Sequence, residues 1–456
     1  MVIDMSTMPA IDRDATAKRL IDGFLARTAA SRNRHEMAKT VMPGGDTRTV
    51  AFHPPYPLTI VEGHGYEMVD ADGNVYIDLL NNYTSLIHGH AHAAINEAVT
   101  DQISRGTNFA AAIESQTRLA ALLVDRIPSV DKVRFTNSGT EATMNAVRAA
   151  RAFTGRDLIV KMEGGYHGTY DDFEISVHPA LDDAGPVDEP TATFDTRGIP
   201  SNTAESVAVV PMNNIPAVEA LFGRRGSEIA AVILEPVMGS AGMIPAETSY
   251  LQALRELTTR AGALLIFDEV MSFRLETGGY QQFAGVNPDI TTMAKIIGGG
   301  FPVGAFGGTD AVMSQFDPTS GKPLWQSGTF NGNAVTTVAG AVAMEHFGAD
   351  EVARINELGA QLRGGLAEAL EERMIPATVT GYGSFAGVHF GVDGVRNYRD
   401  AAGSDQDFKR LVHLALLQEG VFAAPRLMFC TSTPMTEATI TDVVGRFGRA
   451  LDAVRL

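Results

Sequence analysis

Cysteine is nearly absent: Cys430 is the one example in 456 residues. That excludes an internal disulfide framework and fits a reducing compartment. It also leaves no Cys/His spacing of the zinc-binding kind, and no metal is expected. Positive charge is in deficit, with 36 Lys and Arg against 54 Asp and Glu, a net charge of −18. Nucleic acid and anionic membranes both demand a basic surface, so neither is an expected partner. No apolar run is long enough to span a bilayer. The stretch Met1 to Arg34, which carries Asp4, Asp12 and Asp14, lacks an apolar signal core, so no secretory signal is expected and the cytoplasm is the expected location. There is no Gly-x-Ser-x-Gly elbow. Gly298-Gly299-Gly300 does not open a helix, as a dinucleotide fingerprint must. Internal repeats and low-complexity segments are missing too.

What is present is a large apolar content, 45% of the chain, with 46 glycines. That suffices for a large core and predicts two or three domains, with the many tight strand-to-helix turns of an α/β enzyme. A helix is expected from about Ala15 to Lys39, closed by the turn cluster Met42-Pro43-Gly44-Gly45-Asp46. Tyr66 to Asp78 reads as a hairpin around Gly73. His92 to Arg126 reads as helix. Strands are expected at Val133–Thr136, Asp157–Met162, Ile229–Leu234, Ala263–Phe267 and Val303–Gly308, alternating with helical sequence between about 90 and 345. That alternation predicts a mostly parallel sheet covered by helices on both faces. Residues 178–202, rich in Pro, Asp and Thr, read as a long surface excursion. The expected division is 1–90 and 348–456 as the two parts of a smaller α+β domain, and 91–347 as the large domain. His88, His90 and His92 suggest a metal cluster, but no matching carboxylates accompany them, and a turn into a helix is expected.

Lysine is scarce, which makes Lys295 conspicuous. It lies between apolar residues and just before the glycine triplet. Apolar surroundings disfavour the ammonium form, and a neutral amine can form a Schiff base with a carbonyl compound. A plainer reading is a lysine at a strand end whose head group reaches water. Upstream, the buried-strand pattern Ala263–Phe267 ends in Asp268-Glu269-Val270, at the end of a strand where α/β sheets bind ligands. A lysine and such an acid suit pyridoxal phosphate, which needs an amine for its aldehyde and an acid at its ring nitrogen. Asp268 alone could equally be a helix cap.

Ser138-Gly139-Thr140 stands where a strand turns into a helix, an anion site by virtue of free amides and the helix dipole, or a plain cap with Glu141. Gly164-Gly165-Tyr166-His167-Gly168 offers an aromatic face for a planar ligand, or a turn with a half-buried tyrosine. Val270 could press on the opposite face of that ligand or be ordinary core. Glu235 could orient His167 or Asp268, or cap a turn. Ser327-Gly328-Thr329 could add a phosphate donor or only start a helix. Arg426 lies in an otherwise apolar run, and Arg48 lies in Asp46-Thr47-Arg48-Thr49 just after the Gly-Gly turn; an arginine fork so placed suits a ligand carboxylate as well as an internal ion pair.

These motifs, in this order from about Met42 to Thr431, resemble the class III aminotransferases of fold type I, which use pyridoxal 5′-phosphate. The resemblance implies a homodimer with active sites at the subunit interface. Lys295 would be the Schiff-base lysine and Asp268 the partner of the ring nitrogen. Tyr166 and Val270 would sandwich the ring. Ser138, Gly139 and Thr140 would hold the phosphate, with Thr329 from the other subunit. Val41 to Gly45 and Gly299 to Ala305 look like glutamate-1-semialdehyde 2,1-aminomutase. The chain departs from that enzyme at Asp46-Thr47-Arg48, at Asn82-Tyr83-Thr84 and at Pro425-Arg426. Those departures look like the β-amino-acid (β-phenylalanine) aminotransferases, with Arg48 and Arg426 at the carboxylate-binding positions and Tyr83 as a pocket aromatic. The expected activity is transfer of an amino group from a β-amino acid to 2-oxoglutarate or pyruvate. The aminomutase, or a broader ω-amino-acid or amine transaminase, is the alternative.

Overall fold

The computed structural model describes residues 12–455, so Asp4 lies outside the described residues. The N-terminal helix comes as two, Arg13–Arg27 and Ala29–Ala38, where one was expected. Thr28 interrupts it. Its hydroxyl donates back to Phe24 O at 2.7 Å, and Tyr56 Oη donates to its carbonyl at 3.1 Å. Asp72 then accepts from the amides of Ala30 and Ser31, starting the second helix from outside it. A cap supplied from so far along the chain leaves no local signal. The expected helix His92–Arg126 also divides, into Ala93–Arg105 and Glu114–Arg126, where Gly106 turns left-handed at φ 116°. His88, His90 and His92 do lie in the turn ahead of that helix, where His90 Nε2 pairs with Asp78 at 2.8 Å.

A seven-stranded sheet forms the centre. Its order is Lys132–Thr136, Gly304–Gly308, Ile290–Ala294, Leu264–Asp268, Ile229–Leu234, Leu158–Met162 and Val207–Val210. The pairs from Ile290–Ala294 to Val207–Val210 are parallel. Gly304–Gly308 alone runs against both neighbours. The link Lys295–Val303 is too short for the crossover of about a dozen residues that a parallel pair needs. The fold is thus α/β with a mostly parallel sheet, as expected. Two strands, Ile290–Ala294 and Val207–Val210, were not among those expected, although Val207-Ala208-Val209-Val210 is an apolar run of strand length. Every residue of Ile229–Leu234 is buried, as a strand covered on both faces must be.

The small residues of Gly304–Gly308 have a steric reason. A Cβ at Gly304 would come 2.0 Å from Ser138 O, so glycine there admits the turn at Ser138. The helix Gly139–Thr154 then lays Ala142, Ala146, Val147, Ala149 and Ala150 against the sheet. Both ends of the chain meet in a second sheet, where Val421–Phe422 adds in parallel to Val75–Asp78 beside the hairpin. A third sheet pairs Ala377–Thr380, Phe385–Phe390 and Met428–Cys430. It places the segment holding Arg426 beside the carboxyl edge of the central sheet.

Candidate active site

The like-directed strands all end on one edge of the central sheet, and a cavity of ≈ 360 Å³ opens there. Its floor is Asp268, the last residue of its strand and 3% exposed. Asp268 Oδ1 accepts from the Val270 amide and from the Thr292 hydroxyl, both at 3.1 Å. Oδ2 lies 2.8 Å from His167 Nδ1. Burial pulls the His167 pKa below the ordinary imidazole range, with Asp268 only partly opposing it. A neutral ring has one proton, which the bond to Asp268 places on Nδ1. Nε2 is left as an acceptor, buried and without a partner among the described residues.

Glu235, directly after the strand Ile229–Leu234, accepts from the amides of Tyr166 at 2.9 Å and Gly239 at 3.2 Å. It therefore caps chain on both sides and makes no hydrogen bond to His167 or Asp268. Burial, and next the charge of Asp268, push its pKa up to about 7. Lys295 follows the strand Ile290–Ala294 at φ 54°, a left-handed conformation that a side chain adopts at a cost. Burial lowers the pKa of its ammonium, and the charges of Asp268 and Glu235 work against that.

At the start of the helix Gly139–Thr154, Ser138 Oγ accepts from the Glu141 amide at 3.2 Å, and Glu141 Oε2 accepts from the Asn137 amide at 2.7 Å. The capping pattern and the anion-site pattern therefore coexist. The Ser138 hydroxyl holds the cap, while the Gly139 and Thr140 amides have no acceptor among the described residues. A Cβ at Gly139 would sit 3.3 Å from both Val270 methyls, and one at Gly168 would meet Thr140 Oγ1 at 2.5 Å. Glycine at these two places lets the helix start pack against Val270 and lets the turn at Gly168 pack against Thr140.

The outer wall carries the arginines. The Arg48 and Arg426 guanidinium carbons each lie 5.9 Å from the centroid of the Tyr83 ring. Arg48 Nη1 donates to Asn82 Oδ1 at 3.0 Å, and Tyr83 Oη donates to Val50 O at 3.0 Å. Arg426 Nε is buried without a partner, and burial lowers the pKa of this guanidinium. Among the described residues neither arginine makes an ion pair.

The cavity thus gathers Arg48, Tyr83, Gly139, Thr140, Tyr166, His167, Glu235, Asp268, Val270 and Lys295. Ser138 and Arg426 stand beside it without lining it. Thr329 is exposed, and its carbonyl accepts from Asn108 Nδ2 at 3.0 Å. Sequence reasoning missed Thr292, which faces Asp268 in register across two strands, and Thr143, whose hydroxyl donates to His167 O at 2.5 Å. It also missed Asn82 as a partner of Arg48. Strand register carried the first of these, and no local motif announces it.

Comparison with known proteins agrees on one family. The model of aminotransferase class-III matches residues 16–450. A glutamate-1-semialdehyde 2,1-aminomutase of Methanothermobacter thermautotrophicus is 41% identical over 394 residues, 86% of this chain and 91% of that protein. An omega-transaminase from Sphaerobacter thermophilus superposes with a TM-score of 0.90 at 47% identity, covering 94% of this chain and 98% of that one. A beta-phenylalanine aminotransferase from Variovorax paradoxus gives a TM-score of 0.87 at 37% identity, with 96% and 97% covered.

Proposed function

The chain belongs to the class III aminotransferase family, and from that premise we propose that it moves the amino group of a β-amino acid to a 2-oxo acid, 2-oxoglutarate or pyruvate, in a ping-pong reaction. The observation that carries this reading is the pair of guanidinium groups, Arg48 and Arg426, set against one tyrosine ring and free of internal carboxylates.

Class III aminotransferases use pyridoxal 5′-phosphate, which supplies an aldehyde to capture the amine and a ring to accept the electron pair. The residues here fit that group. Open amides at a helix N-terminus match a phosphate, a lysine with a lowered pKa matches the aldehyde, and a buried carboxylate matches a protonated ring nitrogen. In this reading Gly139 and Thr140 bind the phosphate through their amides, with Ser138 holding the turn. Thr329 of a second copy of the chain adds a hydroxyl. Asp268 holds the proton at the ring nitrogen, and His167 and Thr292 fix the carboxylate. Tyr166 and Val270 flank the ring. Lys295 Nζ would carry the proton between the amine-bearing carbon of the substrate and the cofactor carbon on the far side of the nitrogen.

The two arginines answer a geometric problem. A β-amino acid carries its amine one carbon further from the carboxylate than an α-amino acid does. With the reacting carbon fixed, the two carboxylates fall in different places. We assign Arg48 to the carboxylate of the β-amino acid and to the distal carboxylate of 2-oxoglutarate, and Arg426 to the α-carboxylate of the 2-oxo acid. The resemblance to an aminomutase makes glutamate-1-semialdehyde isomerisation the competing activity.

The test offers the purified enzyme β-phenylalanine with each 2-oxo acid, and separately glutamate-1-semialdehyde. Turnover of the β-amino acid is expected. Isomerisation of the semialdehyde without any β-amino-acid turnover would overturn the proposal. Truncating one partner of a buried charged contact costs about 2–5 kcal/mol, roughly 30-fold to several-thousand-fold in kcat/KM; that range applies to the largely buried Arg426, and the loss of the exposed Arg48 should lie at its low end or below. In single-turnover spectra, Arg48→Ala should therefore impair the β-amino-acid half-reaction and Arg426→Ala mainly the keto-acid half. Equal losses in both halves for both variants would refute the division.

A further inference from the structure

Asn81, Asn82, Tyr83 and Thr84 all adopt left-handed backbone, at φ 49°, 48°, 54° and 74°. L-residues disfavour that region, and a run of it persists only where the surroundings impose it. They do so here from both sides. Asp78 Oδ1 accepts from the amides of Leu80 at 2.9 Å and Asn81 at 2.8 Å, while Oδ2 is held by His90. Asn81 Nδ2 donates to Cys430 O at 2.9 Å. Arg274, fully buried, donates to Thr84 O at 3.3 Å. The result is that Asn82 and Tyr83 both line the cavity.

The Asn82 amide is oriented at both ends. A guanidinium only donates, so the atom 3.0 Å from Arg48 Nη1 is Oδ1, and Nδ2 then donates to Ser85 Oγ at 3.0 Å. The nearest acid in sequence, Asp46, makes no ion pair with Arg48; its Oδ1 accepts from the amides of Thr47 and Arg48. Glycine, asparagine and aspartate are the residues that take left-handed backbone readily. Glycine would offer Arg48 no acceptor. Aspartate would hold the guanidinium but neutralise it. Asparagine alone holds it and leaves its charge available.

We propose that Asn82 is a specificity-determining positioning residue: it aims the Arg48 guanidinium into the cavity through a neutral acceptor, so that the full charge remains for a substrate carboxylate. This rests on the reading of Arg48 as the carboxylate site, and the experiment separates the two. Calorimetry on the pyridoxal-phosphate-loaded enzyme compares 3-phenylpropanoate, which has the carboxylate and no amine, with 3-phenylpropanamide, which has nearly the same shape and no charge. Asn82→Asp should weaken the anion about tenfold or more, while the amide changes by less than about twofold, tenfold being the equivalent of about 1.4 kcal/mol. With β-phenylalanine the same variant should raise KM more than it lowers kcat. Asn82→Gly, which loses the guide without adding a charge, should fall between Asn82→Asp and the unsubstituted enzyme for the anion. If Asn82→Asp leaves anion affinity unchanged while Arg48→Ala reduces it, the role of Asn82 is refuted and that of Arg48 stands. If Asn82→Asp weakens anion and amide alike, shape and not charge is at work, and the proposal is again refuted. If Arg48→Ala itself leaves the anion bound as tightly as before, the carboxylate assignment falls, and this inference with it.

Discussion

Lys295 and Asp268 show how much chemistry single positions can hold. Lys295 joins a strand end, a left-handed φ of 54° and burial that favours the neutral amine. Removing Nζ by Lys295→Ala should lower kcat by roughly 10²–10⁴-fold, the usual contribution of a positioned acid–base group or more, and should abolish the absorption band of the lysine-bound cofactor. Activity and band both surviving would mean that another amine does the work. Asp268→Asn keeps the shape of the floor and its contact with the Thr292 hydroxyl. In the proposed function it removes the charge that would hold a proton on the ring nitrogen. The cofactor should stay bound while kcat falls steeply, and a near-normal kcat would refute the assigned role. Both residues were legible in the sequence, because an apolar run ending in an acid and a lone lysine before glycines are local patterns. The partners that tune them were not. Thr292 reaches Asp268 through strand register, and Glu235 turned out to bind amides where a direct bond to His167 or Asp268 had been one option.

At the scale of elements, the readable pieces were those whose cause is local. Apolar runs gave the strands that end at Asp268 and Leu234, and small polar residues gave the turn opening the helix Gly139–Thr154. Elements imposed from a distance stayed hidden. The break at Thr28 depends on Tyr56 and Asp72, and the left-handed turn Asn81–Thr84 depends on Cys430 and Arg274. A substitution pair isolates the backbone contribution in that turn. Asn82→Gly and Asn82→Ala lose the same bonds to Arg48 and Ser85, but only alanine meets the left-handed penalty of about 1–2 kcal/mol. Glycine's freedom in the unfolded chain offsets part of its advantage, by about 0.4–1 kcal/mol. Asn82→Ala should still denature at lower denaturant concentration than Asn82→Gly, and the reverse order would show that the turn is not strained as described.

The whole molecule is held together partly by groups that must stay uncharged. His53, in the N-terminal segment, and His413, in the helix Gln406–Gln418, meet edge to face with ring centroids 5.1 Å apart. Burial lowers their pKa values to about 4 and about 3, and for His413 the neighbouring His53 adds to that. Both folded values lie below the ordinary 6.5, so the unfolded chain binds more protons in between. The stability these two rings contribute is complete above pH 6.5 and is lost as pH falls towards about 4 for His53 and about 3 for His413. His413→Phe should flatten that acid limb in denaturant titrations at several pH values, and an unchanged limb would exclude the pair as its source.

A further whole-molecule expectation concerns assembly. Around Thr329 the surface is unusually apolar for one exposed to water: Trp325, Phe330 and Phe109 are 78%, 59% and 47% exposed. Large aromatic side chains exposed beside a polar loop suit a surface that another chain would cover. In the proposed homodimer that chain is a second copy, and Thr329 completes the neighbour's phosphate site. Cofactor binding across the interface would then stabilise the dimer by mass action. Trp325 is the chain's one tryptophan, so its emission reports on this loop without interference from another. Dilution of the cofactor-free protein should shift that emission to the red as the dimer parts, and added pyridoxal phosphate should move the transition to lower protein concentration. Thr329→Ala should weaken both cofactor retention and that coupling. Sedimentation of a cofactor-loaded monomer, or Trp325 emission that ignores the monomer–dimer transition, would show that each active site is complete within one chain.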